Sequence, residues 1–351
     1  MELQIVVGAS AMLPNYGDVL PILKRDGFHP AAKIVMTLEG GTPIAMAKTA
    51  GLGVTEFATV FENLQPDMVV VRGDRYEVLS AAMAAAYLNI PVAHIEGGDV
   101  SGTIDESVRH AVTKLSHIHL TSNEESRQRV LRMGEDPRYV FEVGAPELEY
   151  VARNRFRVSN KLVNYLGVGD VVDIKKPFLI VMQHPVTSEI GKNRRYVEET
   201  LHAVRELNIP TIWFWPNVDA GTDEISKAIR VFREAHQARH MRFIKYLPPE
   251  EFIGLLKASA CLVGNSSTGI KECSYLGTPV VNIGTRQSGR MRAGNVVDVG
   301  YNRKKIAEAI KKQINVGRYP RSLAYYKPGT GKNIADILAT VKTYTQKKFH
   351  D

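Results

Sequence analysis

Short, continuous apolar runs alternate with longer amphipathic or alanine-rich stretches along most of the chain. Met68-Val69-Val70-Val71 is apolar at four consecutive positions and stops at Gly73. The alanine-rich segment 78–88 follows it and predicts a helix, because alanine and leucine lose little side-chain freedom there. Pro91-Val92-Ala93-His94-Ile95 predicts the next strand, closed by Gly97-Gly98. The second half repeats the phrase. Ala260-Cys261-Leu262-Val263 predicts a strand, Gly264-Asn265-Ser266-Ser267 a loop, and 269–275 the opening of a helix. Thr278-Pro279-Val280-Val281-Asn282-Ile283-Gly284 then echoes 90–95. Strands that are apolar throughout are buried on both faces, which predicts parallel sheets covered by helices.

Residues 149–176 are charged and weakly apolar, and read as a helix plus connector before a new strand at 177–182. The expected architecture is therefore α/β, with two Rossmann-like domains, 1–165 and 166–351. A cleft is expected between them at the carboxyl ends of the strands, where ligands of such sheets bind.

Composition narrows the class. The 351 residues suit about two domains. With 44% hydrophobic and 23% charged residues the chain is no disordered polymer. Two cysteines, Cys261 and Cys273, exclude a disulfide scaffold and a thiolate zinc cluster, and fit a reducing compartment. The longest apolar candidate, 79–95, is broken by Asn89 and Pro91, so no membrane partner is expected. Glu2, with no Lys or Arg before Lys24, does not fit a signal peptide, and a cytoplasmic location is expected. The net charge is +8, and residues 301–351, with 12 Lys and Arg against 3 acids, carry +9, so the first 300 residues balance at −1. No aromatic interleaving accompanies that excess. It reads as a solvated helical surface, and no nucleic-acid partner is expected.

The chemistry-bearing residues cluster just after predicted strands. Gly73-Asp74-Arg75 puts a charged pair at a strand end. In His94-Ile95-Glu96-Gly97-Gly98-Asp99, strand alternation predicts that His94 and Glu96 share a face. Thr103 and Glu106 fit a capping box, which gives Glu106 a structural role; Asp105, four before Arg109 on the same helix face, has none. His184, in Gln183-His184-Pro185-Val186-Thr187, is placed to donate a proton or to hydrogen-bond a phosphate. Gly264-Asn265-Ser266-Ser267-Thr268-Gly269 is small and polar at a predicted helix start, a pattern that suits phosphate, although it is neither a Walker A loop nor a dinucleotide fingerprint. No metal-ligand spacing occurs, since His236 and His240 stand four apart without a His-Glu-x-x-His pattern.

Six ordered strings, 73–77, 94–117, 183–187, 216–221, 264–272 and 284–290, together resemble the hydrolysing UDP-N-acetylglucosamine 2-epimerases. They include the epimerase half of the bifunctional epimerase/N-acetylmannosamine kinase of sialic acid synthesis. The resemblance spans nearly the whole chain and implies a two-domain fold of glycosyltransferase-B type. It implies that UDP-GlcNAc loses UDP by elimination across C1 and C2, and that the 2-acetamidoglucal is hydrated to N-acetylmannosamine without a cofactor or metal. By match to the family motifs, Asp74, Glu96 and Asp105 are the acidic catalytic positions and His184 lies at the UDP phosphates. Arg75, Asn217, Ser266, Ser267, Glu272 and Arg286 match UDP contacts, and Lys245, Tyr246 and Leu247 fall in the uracil-lining segment. A homo-oligomer is expected.

The alternatives are a hydrolysing enzyme for a UDP-2,4-diacetamido sugar, a non-hydrolysing epimerase, a UDP-sugar-binding pseudoenzyme and a glycosyltransferase. His184-Pro185-Val186-Thr187 stands where non-hydrolysing relatives carry a His-Arg-Arg-Glu-Asn-like turn, which argues against that class. The resemblance also leads to the expectation that a first strand, a loop and a first helix belong upstream of Leu3-Gln4-Ile5-Val6-Val7, and that without them neighbouring strand edges are unpaired.

Overall fold

The apolar runs become strands where Gly or Pro bounds them on both sides. The structure, a computed structural model, describes residues 1–13, 19–153, 156–236 and 239–351. Two units emerge, one of residues 1–149 and 325–351, the other of residues 150–324.

In the first unit, β1 (Ile5–Gly8) and β2 (Pro30–Ile34) form a parallel pair. Strands β3 (Val69–Arg72), β4 (Val92–Ile95), β5 (Ile118–Thr121) and β6 (Val140–Glu142) form a separate parallel sheet in that order. Among the described residues β1 and β3 do not pair. A cavity of about 460 Å³ lies between them, lined by Val6, Val7, Phe57, Phe61, Val69 and Val71 among others. The alanine-rich helix runs Tyr76–Tyr87, and Ala81, Ala82, Ala84 and Ala85 on it are buried. It packs with the helices Pro43–Leu64 and Ile104–Leu115.

The second unit holds β7 (Gly167–Gly169), β8 (Leu179–Met182), β9 (Thr211–Phe214), β10 (Met241–Ile244), β11 (Cys261–Gly264), β12 (Val280–Ile283) and β13 (Val296–Val299). Their order is β13-β12-β11-β8-β9-β10-β7. All pairs are parallel except β7 with β10. Strands β9 to β12 are buried at every position, the polar Thr211, Arg242 and Asn282 included.

Several expectations are revised. The domain boundary expected at 165/166 falls at 149/150, and the chain end returns to the first unit. The reason is packing. Ile334, Ile337 and Leu338 on the last helix join Ala93, Ile118 and Leu120 in one apolar cluster, and Thr330 Oγ1 donates to the Val143 carbonyl at 2.8 Å. The basic C-terminal stretch is also not wholly a solvated surface. Lys347 donates to the Glu135 carboxylate at 2.6 Å and to the carbonyls of Lys114 and Ser116 at 2.8 and 2.5 Å.

The connector read at 149–176 contains a helix, Asn160–Leu166, and then the antiparallel edge strand β7. Arg242 makes this possible. Its buried guanidinium donates to the carbonyls of Val163, Asn164, Gly167, Gly169 and Asp170, which the helix end and the Gly-Val-Gly strand leave open. No helix among the described residues is long and apolar enough to cross a membrane.

Candidate active site

In the first unit the candidate groups sit where strands end. Gly73, with φ of +81°, turns the chain out of β3 and delivers Asp74. The Asp74 carboxylate accepts from the guanidinium of Arg109, which is 3% exposed on the helix Ile104–Leu115. Asp105 stands one helical turn before Arg109. Its N–H is capped by Thr103 Oγ1 at 3.3 Å. Asp74 and Asp105 are thus both tied to one helix turn.

Glu96 lies one residue beyond β4 in a left-handed conformation, φ 68°. Strand alternation therefore does not set its direction, and the predicted sharing of a face with His94 lapses. Non-glycine residues seldom adopt this region, and they concentrate at functional sites. Arg72, at the end of β3, holds the Glu96 carboxylate at 3.3 Å and also binds Glu147.

Two further residues have structural duties. Glu106 accepts from the Ser101 N–H at 2.7 Å, so it closes the loop before the helix rather than bonding Thr103 in a capping box. Arg75 donates to Glu77 at 2.9 Å and lies 5.2 Å from the Tyr76 ring centroid.

In the second unit the candidates again follow carboxyl ends of parallel strands: His184 after β8, Asn217 after β9, Lys245 to Leu247 after β10, Ser266 and Ser267 after β11, and Arg286 after β12. Asn265 organises them. Its buried side chain accepts from the His184 N–H at 2.7 Å and donates to the His184 carbonyl at 2.9 Å. Its own carbonyl accepts from Arg286 at 3.2 Å and Gln287 at 2.9 Å. Gly264 has no room for a side chain, since a Cβ there would lie 2.1 Å from the Met182 carbonyl oxygen.

The Asn217 N–H donates to His184 Nδ1 at 3.2 Å, so a neutral His184 carries its proton on Nε2 as a donor. The Asn217 side chain binds Asp219, which stands 3.8 Å from Arg286. Where the sequence predicts a helix opening at 269, the chain first makes a 3-10 turn, Ser267–Gly269, and the α-helix is confined to Glu272–Leu276. Ser266 caps that turn, its Oγ accepting from the Thr268 N–H at 3.4 Å. Glu272 is the first residue of this helix. Lys245 is exposed and Leu247 buried. Among the described residues no group of three or more His, Cys, Asp or Glu could hold a metal ion.

Sequence reasoning did not commit to Arg72, Arg109, Asp219 or Asn265. Arg109, Asp219 and Asn265 lie in the quoted strings and Arg72 next to one, but their partners are fixed only by folding.

A family model described as UDP-N-acetylglucosamine 2-epimerase matches residues 1–339. The chain is 35% identical over 346 residues to the UDP-N,N'-diacetylbacillosamine 2-epimerase (hydrolyzing) of Legionella pneumophila, covering 99% of this chain and 90% of that one. It is 30% identical to the UDP-N-acetylglucosamine 2-epimerase of Neisseria meningitidis, covering 100% and 92%. The crystal structure of the Methanocaldococcus jannaschii UDP-GlcNAc 2-epimerase in complex with UDP-GlcNAc and UDP superposes with a TM-score of 0.72 at 19% identity, covering 97% of this chain and 99% of that one. At that identity the likeness bears on the fold, which is the expected two-unit α/β class of glycosyltransferase-B type.

Proposed function

Because the chain belongs to the UDP-N-acetylglucosamine 2-epimerase family, and is thus a UDP-sugar 2-epimerase, we propose that it acts in the hydrolysing manner on UDP-GlcNAc. A carboxylate removes the C2 proton, the electron pair forms the C1–C2 double bond, and the C1–O bond to UDP breaks. Hydration of the 2-acetamidoglucal then returns a proton to C2 from the other face and adds water at C1. UDP and N-acetylmannosamine leave. The sum is redox-neutral, so no hydride carrier enters the balance.

The observation that carries this reading is the set of carboxylates at neighbouring strand ends. Asp74 is paired with Arg109, Glu96 is paired with Arg72, and Asp105 lies one turn from Arg109. Elimination followed by hydration needs more than one proton-transfer group, and held carboxylates supply them. On the UDP side, the Nε2–H of His184 is a donor suited to a diphosphate oxygen. Arg286, Ser266 and Ser267 stand on adjoining strand ends, and Arg75, Asn217, Glu272, Lys245, Tyr246 and Leu247 complete the proposed UDP contacts.

A second reading, a UDP-2,4-diacetamido sugar as substrate, is favoured by the name of the Legionella relative. Its elimination and hydration are the same, and only the C4 and C6 contacts differ.

Proton NMR of each UDP sugar with the protein in deuterated water tests both. The expected result with UDP-GlcNAc is free UDP and N-acetylmannosamine with one solvent deuteron at C2. Turnover of the diacetamido sugar alone would select the second reading. A product still joined to UDP would refute the hydrolysing manner.

A further inference from the structure

We propose that His94 and Thr113 are positioning residues for the reaction, closing a ring of contacts that sets the Asp74 carboxylate against Arg109. This rests on the reading of Asp74 as a proton-transfer group.

His94 is fully buried in β4, between Val71 of β3 and His119 of β5. Its Nε2 lies 2.9 Å from the Gly73 carbonyl oxygen, and its Nδ1 lies 3.1 Å from Thr113 Oγ1. Thr113 is also fully buried. A carbonyl only accepts, so Nε2 carries the proton. Burial holds the imidazole neutral, with its pKa pushed down to about 4, so Nδ1 is bare and accepts from the Thr113 hydroxyl. The chain of donors is therefore directional: Thr113 Oγ1–H to His94 Nδ1, then His94 Nε2–H to the Gly73 carbonyl.

Gly73 is bonded covalently to Asp74, Asp74 is paired with Arg109, and Arg109 stands one turn before Thr113 on the same helix. The ring closes there, so neither the 73–74 turn nor the helix can shift without breaking a contact buried from water. Gly97 leaves room for it, since a Cβ on that residue would come within 3.0 Å of both His94 Nδ1 and Thr113 Oγ1. Misplacing a proton-transfer group by about 1 Å costs up to about a hundredfold in rate, which is the effect such a ring prevents.

The test compares Thr113→Val, which keeps shape and removes the hydroxyl, with Thr113→Ser, which keeps the hydroxyl. Turnover is counted per UDP-binding site titrated by calorimetry, so misfolded protein does not enter. The expected result is a kcat lowered about tenfold to a hundredfold in Thr113→Val with KM little changed, and restored to within about twofold in Thr113→Ser. Nitrogen-15 NMR of the histidine rings should show the Nε2–H tautomer of His94 in wild type and Thr113→Ser, and a mixture in Thr113→Val.

Unchanged kcat in Thr113→Val, or the Nδ1–H tautomer in wild type, would overturn the proposal. If the wild-type protein turned over neither UDP sugar, the proposed function would fail instead. The ring would then be judged by NMR of the Arg109 Nη–H group paired with Asp74: a signal lost in Thr113→Val supports it, and an unchanged signal overturns it.

Discussion

Removing the Asn265 side chain should cost both stability and turnover, because two backbone groups of His184 depend on it. Asn265→Ala deletes the bonds of 2.7 and 2.9 Å to the His184 N–H and carbonyl. Each backbone group left without its partner costs about 1–3 kcal/mol, reduced where water enters the space vacated, so the pair should cost about 2–4 kcal/mol. For a unit of this size that is a fall of roughly 4–16 °C in the melting temperature. The effect on turnover follows from the His184 imidazole. The His184 backbone is then free to tilt, and Nδ1 loses its alignment with the Asn217 N–H. Turnover should drop about a hundredfold and UDP should bind more weakly. Asn265→Asp separates the two bonds. It keeps an acceptor for the His184 N–H but sets a carboxylate oxygen against the His184 carbonyl, and it adds a negative charge beside the proposed diphosphate position. It should therefore bind UDP more weakly than Asn265→Ala does. Calorimetric melting, UDP titration and steady-state kinetics measure the three quantities. An Asn265→Ala protein that melted within about 1 °C of wild type and kept its turnover would refute the reasoning.

Glu96→Gln and Asp105→Asn should each lower kcat by about 10² while leaving UDP affinity within about twofold, as loss of a proton-transfer group does; wild-type turnover in either variant would reassign that residue to loop structure. Acid should weaken the fold through His94. Burial, opposed in part by the bond to Gly73, lowers its pKa from 6.5 to about 4, with Glu96, His119 and His110 the charged or titratable groups acting on it. The unfolded chain therefore takes the proton first, so this contribution is whole above pH 6.5 and is lost as the pH falls toward about 4, at up to about 1.4 kcal/mol per pH unit. Urea unfolding between pH 7 and 4.5 should show a shallower slope in His94→Gln, by about one proton; equal slopes would remove His94 as the cause.

What could be read from sequence was local. Four or five apolar residues bounded by Gly or Pro have few options other than a buried strand, so β3, β4, β8, β11 and β12 stood where expected. Placing Asp74, Glu96, His184 and Ser266 next to strand ends needed only the residues beside them. The family strings extended this to a class of chemistry, because their order along the chain is itself local information.

Folding decided the partners. Arg109 meets Asp74 from 35 positions away, and Asn265 meets His184 from 81. Any buried guanidinium or amide in the chain was chemically able to serve, and only the packing of helix against strand selects one. The same holds for Arg242, whose burial is tolerable only because a helix end and β7 present it with open carbonyls. A three-residue strand of Gly-Val-Gly carries no hydrophobic period by which to predict it. Glu106 shows the limit of a local rule: its spacing from Thr103 fits a cap, but the loop before the helix brings the Ser101 N–H to it instead. The last 27 residues leave the unit they follow in sequence because the apolar face of their helix finds its complement on Ala93, Ile118 and Leu120. Burial of that face, not proximity along the chain, determines where the segment lies.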